Sequence, residues 1–255
     1  MTVITAQPKP YNDEPLMIPG YGAQPVPPQK YVPANDNVPQ ERGQYIGLRR
    51  PAAGGSKGGF DVPPHLHQVF AELVRYGDFM QTATGRKFWP MDPKADEVFI
   101  EDIAHALSLQ CRYAGHCLRF YSVAEHSVLM ARHLRWEGVD VALHALLHDA
   151  SEAFLVDVPR PVKPYLEGYK AAEAKVMAVV CDRFSLPHEM PAVVHDADNR
   201  IIADELENLV QMEWHGKHNE PLGVRLRYWS PEKAKEEFLA TFEALMDCRA
   251  RGMEA

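Results

Sequence analysis

Proline is distributed very unevenly along this chain of 255 residues. Twelve of its 21 prolines lie in residues 1–64, among Gly, Gln, Asn and Ser and with few apolar runs. Such a segment cannot bury enough apolar surface to offset the conformational entropy that ordering it would cost. We therefore predict a disordered, proline-rich extension over residues 1–64 and one folded domain over residues 65–250.

Apolar residues recur at helical spacing through the predicted domain, and strand signals are few. The pattern predicts helices over residues 66–74, 103–110, 120–134, 139–154, 167–184, 193–214 and 231–248. Asp102 is predicted to cap the second of these helices, and Pro231 to begin the last one. Residues 82–93 (TATGRKFWPMDP) are predicted to form a loop or small hairpin. The expected fold class is an all-α helical bundle.

Charge and hydropathy argue against two classes of partner. The net charge is −8, and no Lys/Arg stripe is large enough to displace many phosphate counterions, which argues against polymeric nucleic acid. The longest apolar runs fall well short of the ~20 residues that span a bilayer, which argues against a membrane protein. The cysteines form no C-x-x-C pair and follow no signal-peptide core, so we expect free thiols in the cytoplasm: Cys111, Cys117, Cys181 and Cys248.

The segment LLHDASE carries the densest group of reactive side chains, with His148 and Asp149 adjacent in an apolar helical pattern. Neighbouring helix positions differ by about 100° around the axis, so both side chains can bend toward one point. Burying an ionised Asp149 without a partner would cost several kcal/mol. A bound metal ion would remove that cost, and a buried arginine partner is the alternative explanation.

Two further predicted helices supply similar groups. His126 lies in SVAEHS, and HDADNR contains two aspartates, Asp196 and Asp198. Asp198 falls beside Ile201 on the inward stripe, whereas His195 and Asp196 are assigned to the helix start. The resulting set of two imidazoles and two carboxylates would balance the charge of a borderline divalent cation: His126, His148, Asp149 and Asp198. A lone histidine more often has a structural role, so the prediction depends on the whole set.

The ordered motifs EHS, HDASE and D-x-P-x-P-V-K resemble those of the HD-domain phosphohydrolase superfamily, and within it the bacterial HD-domain 5′-deoxynucleotidases. The block RYAGHCLRFYSVAEHS is also similar to phage-encoded HD-domain dATP triphosphohydrolases. The resemblance covers roughly residues 78–210. It implies an α-helical HD-domain bundle with one divalent ion, Co²⁺, Mn²⁺ or Zn²⁺, bound by His126, His148, Asp149 and Asp198. It also implies a homo-oligomer, because relatives often form dimers or larger rings.

Two acidic residues are candidates for proton transfer. Glu152 stands four residues after His148 and three after Asp149, hence on the same predicted helical face. From there it can accept a proton from attacking water or protonate the leaving oxygen, and the matching glutamate of the deoxynucleotidases is catalytic. The aspartate that matches Asp157 lies at the reaction centre of that family. A solvent-facing glutamate and a turn-forming aspartate are the alternatives.

Three residues are candidates for substrate binding. Arg112 is a predicted phosphate clamp, because its planar donors match phosphate geometry and the family has an arginine shortly before the EHS helix. Lys163 would add a point charge. Tyr113 stands where the deoxynucleotidases carry a tryptophan against the sugar, and such a ring leaves no room for a 2′-hydroxyl. The change to tyrosine departs from the family pattern, and a core tyrosine is the alternative.

The resemblance implies metal-dependent hydrolysis of a nucleotide substrate, with deoxynucleotides as the leading class. Two product patterns stay open: orthophosphate from a deoxynucleoside monophosphate, or triphosphate from a deoxynucleoside triphosphate. One alternative keeps the metal but takes a cyclic nucleotide or an alarmone as substrate. Another is an HD fold that binds without catalysis and uses the proline-rich extension as an interaction arm.

Overall fold

The computed structural model describes residues 75–252. The predicted extension over residues 1–64 and the predicted helix over residues 66–74 lie outside the described residues.

The described part of the chain is mainly helical, as predicted. A two-stranded antiparallel hairpin, β1 (Met80–Gln81) and β2 (Lys87–Phe88), comes first, with Met80 opposite Phe88. The α-helices are α1 (Ile100–Leu109), α2 (Val123–His133), α3 (Val139–Leu147), α4 (Glu152–Leu155), α5 (Tyr169–Phe184), α6 (Ala192–Glu205) and α7 (Pro231–Ala250). Short 3-10 turns cover Ala95–Glu97, Arg112–Gly115, Leu134–Glu137, Lys163–Tyr165, Leu206–Asn208 and Glu213–Lys217.

Helix α2 lies at the centre of the domain. Every residue from Val123 to Ala131 is buried, and the helix packs against α1, α3, α6 and α7. Ser122 begins it, because the Ser122 hydroxyl accepts the backbone N–H of Glu125 at 3.1 Å. The predicted start at Phe120 is therefore wrong by a few residues. A helix buried on all sides holds its polar side chains in fixed positions, and His126 is one of them.

Glu125, next to His126, anchors the segment that leads into α7. Its carboxylate is fully buried and accepts the backbone N–H groups of Arg227, Tyr228 and Trp229 at 2.6, 2.9 and 2.7 Å. Hydrogen bonds to a charged acceptor are stronger than those between neutral groups, so this contact fixes α2 against the C-terminal part of the domain.

The predicted helix over residues 139–154 is interrupted. Helix α3 ends at Leu147, and α4 begins at Glu152. In the intervening turn the N–H groups of Ala150 and Glu152 donate to the carbonyls of Leu147 and Asp149, three residues earlier. Hydrogen bonds of this spacing wind the backbone more tightly than an α-helix. His148 and Asp149 therefore project from a tight turn and not from a continuous helix.

Two other predicted helix boundaries are corrected. Asp102 is no cap, because α1 begins at Ile100; its carboxylate instead accepts the backbone N–H and the hydroxyl of Thr84, both at 2.8 Å, and so ties the hairpin to α1. The helix predicted to reach residue 214 ends at Glu205. Just beyond it, the Asn208 amide bonds to both the N–H and the carbonyl of Arg119 at 2.9 Å, which favours a turn there.

Two further predictions concern membrane-spanning helices and the state of the cysteines. Among residues 75–252, no helix combines the length and the hydropathy needed to cross a membrane. The four cysteines are free thiols.

Candidate metal centre

Three helices bring three ligand-type side chains to one point. His126 lies on α2, His148 follows the last residue of α3, and Asp198 lies on α6. The Nε2 atoms of the two histidines are 3.3 Å apart, and Asp198 Oδ1 lies 3.3 Å from His126 Nε2 and 3.7 Å from His148 Nε2. All three ligand atoms lie within 4.8 Å of one another, so this group can hold a metal ion. The convergence of His126, His148 and Asp198 is confirmed.

The choice of Asp198 over its neighbour also agrees with the structure. Asp196 is 63% exposed and pairs with Arg200 one turn along the helix. The side chain of Asp198 is only 23% exposed and points to the histidines. His195 is exposed as well.

Asp149 lies at the edge of the same group. Its Oδ2 atom is 3.2 Å from His148 Nε2 and 3.8 Å from His126 Nε2, and Arg112 Nη1 lies 3.4 Å from the same oxygen. The Asp149 carboxylate therefore lies close both to the other candidate metal ligands and to an arginine, the two kinds of partner that the sequence predicts for it. Burial raises the pKa of Asp149, but His148, His126 and Arg112 outweigh it and hold the pKa well below its usual range.

The charges at this point favour a bound cation. Burial alone would lower the pKa of His148, yet the carboxylates of Asp149 and Asp198 raise it well above its usual range. Two ionised carboxylates therefore draw positive charge to the Nε2 edge of the ring, where a divalent cation would compete with the proton. Imidazole and carboxylate donors suit Zn²⁺, Co²⁺ or Mn²⁺, so the donor set fits such an ion.

Glu205, the last residue of α6, was not predicted from the sequence as a site residue. It is fully buried, its Oε1 atom lies 2.8 Å from His126 Nδ1 and 3.2 Å from Arg112 Nε, and its Oε2 atom accepts the Tyr113 hydroxyl. Burial raises the pKa of Glu205, but Arg112, His126 and Tyr113 lower it to about 2. A detectable signal existed, since Glu205 follows Asp198 by seven residues and so shares its face of the helix.

Arg112 and Tyr113, the predicted phosphate clamp and sugar ring, both contact carboxylates of the centre. They belong to a turn in which Tyr113 and Ala114 have φ of 57° and 51°, a left-handed conformation that non-glycine residues rarely adopt. The Arg112 guanidinium lies between Asp149 and Glu205. The loop therefore holds strain where it meets the centre, as functional sites often do.

Glu152, the first residue of α4, has a partly unsatisfied carboxyl group. It is 5% exposed; Lys163 Nζ lies 3.4 Å from Oε1, and Oε2 has no hydrogen-bond partner among the described residues. Burial, followed by the charges of Asp149 and Asp157, raises the pKa of Glu152 to about 9. Lys163 also donates to Glu173 at 2.8 Å.

Asp157 is held beside Glu152 by Gln110. The Gln110 amide accepts the backbone N–H of Asp157 and donates to the carbonyl of Glu152, both at 2.9 Å. Val156, between them, has φ of 69°, which is strained for a β-branched residue. Burial raises the pKa of the Asp157 carboxyl. Gln110 therefore fixes the backbone at both candidate proton-transfer residues.

Arg160 also reaches the centre and was not predicted from the sequence as a site residue. Its Nη2 atom lies 3.5 Å from Asp198 Oδ2, and Nη1 donates to Asn199 at 3.4 Å. The side chain is 65% exposed, so much of its guanidinium faces solvent.

The raised pKa of Glu152 has a measurable effect on stability in metal-free protein. Between the ordinary glutamate pKa of 4.5 and the folded value of about 9, the folded protein retains a proton that the unfolded chain has released. Rising pH in this window therefore lowers the free energy of unfolding, by up to about 1.4 kcal/mol per pH unit. The neutral amide in Glu152→Gln removes this dependence. Denaturant unfolding is measured in chelator at about pH 6 and about pH 8. Between these two pH values the free energy of unfolding of wild type should fall relative to that of Glu152→Gln. An equal change in the two proteins would contradict the raised pKa of Glu152.

Comparison with known proteins finds relatives whose functions are not characterised, and no family model matches the chain. The chain is 40% identical to the uncharacterised protein YfdR of Escherichia coli over 131 residues, which make up 51% of this chain and 72% of YfdR. It is 33% identical to the uncharacterised protein RCAP_rcc00048 of Rhodobacter capsulatus in an alignment of length 182 that covers 64% of this chain and 93% of that protein. The chain therefore belongs to the protein family that contains YfdR and RCAP_rcc00048.

Proposed function

We propose that this protein is an HD-domain phosphohydrolase that uses one divalent ion to hydrolyse deoxynucleotide phosphates. The observation that carries the proposal is the convergence of His126, His148 and Asp198 from α2, the turn after α3, and α6. The buried and partly unsatisfied Glu152 begins the helix that follows this turn. The order of the motifs along the chain supports the superfamily.

In this proposal His126, His148, Asp149 and Asp198 hold the ion. When bound, the ion supplies Lewis acidity, which polarises a phosphoryl oxygen and lowers the pKa of water toward neutrality.

Two buried carboxyl groups move the protons. Hydrolysis forms a bond between water oxygen and phosphorus and breaks the bond from phosphorus to the leaving oxygen, so one proton must leave the water and one must reach the leaving group. Glu152 is buried and one of its carboxyl oxygens has no partner among the described residues, so it is placed to donate a proton to the leaving oxygen. Asp157, fixed beside it by Gln110, accepts the proton from water.

Three cations have different tasks. Arg112 lies between the carboxylates of Asp149 and Glu205, which occupy part of its guanidinium. Arg160 contacts Asp198 and Asn199 and is 65% exposed, so it is the cation with donors to spare for a phosphate. Lys163 supports Glu152 and adds positive charge beside it.

Arg160→Ala should weaken substrate binding more than it slows turnover. A hydrogen bond to a charged group contributes about 1.5–3 kcal/mol, so we expect KM to rise by about 10-fold or more. The matched control is Arg200→Ala, which removes a half-exposed arginine that pairs with Asp196 away from the centre. Steady-state kinetics would measure both, and an unchanged KM in Arg160→Ala would show that Arg160 does not touch the substrate.

Deoxyribose selection rests on Tyr113. Its ring replaces the tryptophan of the resembling deoxynucleotidases and stands next to Arg112, with its hydroxyl bonded to Glu205. An aromatic ring in that position would exclude a 2′-hydroxyl by its volume.

The decisive experiment is a substrate panel on metal-loaded protein. The full chain is stripped with chelator, reloaded with Co²⁺ or Mn²⁺, and incubated with deoxy- and ribonucleoside mono- and triphosphates. Chromatography that separates phosphate, pyrophosphate and triphosphate identifies the product pattern. Hydrolysis of no deoxynucleotide would contradict the proposal, and activity confined to cyclic nucleotides or alarmones would move it to that substrate class.

A further inference from the structure

Glu205 has the geometry of a residue that acts through His126. It is fully buried at the end of α6, and its Oε1 atom lies 2.8 Å from Nδ1 of His126, on the opposite side of the ring from the cluster of ligand atoms. Nε2 of His126 faces His148 and Asp198, each at 3.3 Å. One ring nitrogen therefore faces the cluster of ligand atoms, and the other faces Glu205.

The Glu205 carboxylate, 2.8 Å from Nδ1, determines which ring nitrogen carries the proton. A carboxylate can only accept, so Nδ1 must donate, and the lone pair of a neutral imidazole is then left on Nε2. Histidines that bind metals commonly have such an outer partner, which fixes the tautomer and the ring orientation and raises the basicity of the ligand.

The carboxylate is itself held in place from the other side. The Tyr113 hydroxyl donates to Oε2, and the Arg112 guanidinium lies 3.2 Å from Oε1. Glu205 thus contacts two segments that are distant along the chain. Tyr113, in the turn that begins at Arg112, lies 92 residues earlier, and His126, on α2, lies 79 residues earlier. Glu205 therefore has little freedom to turn away from His126.

We propose that Glu205 is a positioning residue that holds the proton of His126 on Nδ1 and so presents Nε2 to the metal, with Tyr113 and Arg112 keeping the carboxylate in that orientation. The inference rests on the metal site of the proposed function and adds a residue outside the ligand set. The turn Arg112–Gly115 then has a second role, because a substitution of Tyr113 would change metal binding through Glu205.

The test compares metal affinity in wild type, Glu205→Gln, Tyr113→Phe and Glu207→Gln, each as the full chain stripped with chelator and titrated with Co²⁺ by calorimetry at neutral pH. We expect Glu205→Gln to raise the Kd for Co²⁺ by about 10- to 100-fold. Tyr113→Phe removes one donor to Glu205 and should raise the Kd by a smaller factor. Glu207 is the matched control, since it is exposed and bonds to the Tyr228 hydroxyl at 2.9 Å.

A second measurement separates positioning from loss of stability. In Zn²⁺-loaded protein labelled with ¹⁵N-histidine, the Nδ1 proton of His126 should resonate far downfield in wild type and move upfield in Glu205→Gln, because an amide oxygen is a weaker acceptor than a carboxylate. A role in folding alone would lower the unfolding midpoint without moving this resonance. Tyr113→Phe provides the same comparison if Glu205→Gln does not fold.

The outcomes are distinguishable from those of the proposed function. If wild type binds Co²⁺ and both Glu205→Gln and Tyr113→Phe bind it equally well, the positioning role is overturned and the metal site stands. If wild type binds no metal, the site and the positioning role are overturned together.

Discussion

Glu152→Ala is expected to lose most of its turnover and to keep its metal. Under the proposed function the substitution removes a proton-transfer group and no ligand, and such groups contribute about 10²–10⁴-fold to rate. Glu152 is suited to this task because it is buried beside the centre with one carboxyl oxygen unpartnered among the described residues. The measurements are kcat on the preferred substrate from the panel and metal content by elemental analysis of the same samples.

Glu173→Gln is the matched control for this loss. Lys163 bonds to both Glu152 and Glu173, so removing Glu152 also releases the lysine from one partner. Removing the Glu173 carboxylate disturbs Lys163 without touching the proposed proton donor, and we expect turnover close to wild type. If Glu152→Ala loses as much metal as Asp198→Asn, a substitution in the proposed ligand set, then Glu152 belongs to that set.

The three residues that converge at the centre were predictable because their signals are local. His126, His148 and Asp198 each lie within a short apolar pattern whose inward face can be found by spacing. The choice of Asp198 over Asp196 followed from the same reasoning, and the two side chains do point in opposite directions. Ser230 and Pro231 likewise mark the start of α7 by local chemistry.

The turn between α3 and α4 was not predictable from periodicity. Ala150, Ala153 and Phe154 are buried, so the apolar pattern continues through the break and indicates one helix. The tighter turn is instead associated with contacts made by His148 and Asp149, whose partners lie on α2 and in the turn that begins at Arg112. Tertiary contacts of this kind leave no mark on the local pattern.

Glu205 and Arg160 were missed for a related reason. Two partners of Glu205, His126 and Tyr113, lie 79 and 92 residues away, and Asn199, one of the two partners of Arg160, lies 39 residues away. A charged residue at the end of a helix or in a proline-rich loop is ordinarily read as solvated, and only the folded chain shows which carboxylate or guanidinium it meets. Burial of Glu205 is what distinguishes it from its exposed neighbour Glu207.

Asp198→Asn is expected to abolish metal binding. An amide is a neutral and weaker ligand, and its loss of charge removes one of the carboxylates that draw a cation to the Nε2 atoms of His126 and His148. The Kd for Co²⁺ should rise by more than about 100-fold. This exceeds the loss of affinity, about 10- to 100-fold, that follows when a residue supporting a ligand is replaced. Asp196→Asn is the matched control, since it changes an exposed carboxylate two positions earlier on the same helix and should leave the Kd unchanged.

Asp149→Asn completes the comparison, because it decides between the two partners of that carboxylate. If Asp149 is a ligand, its variant should lose metal as Asp198→Asn does, since its Oδ2 atom is as close to His148 Nε2 as a shared ion requires. If Asp149→Asn retains metal while Asp198→Asn does not, the centre consists of the two histidines and Asp198, and Asp149 serves as the partner of Arg112. Calorimetric titration with Co²⁺ separates the two results, and metal retained in both variants would contradict a carboxylate-containing site at this position.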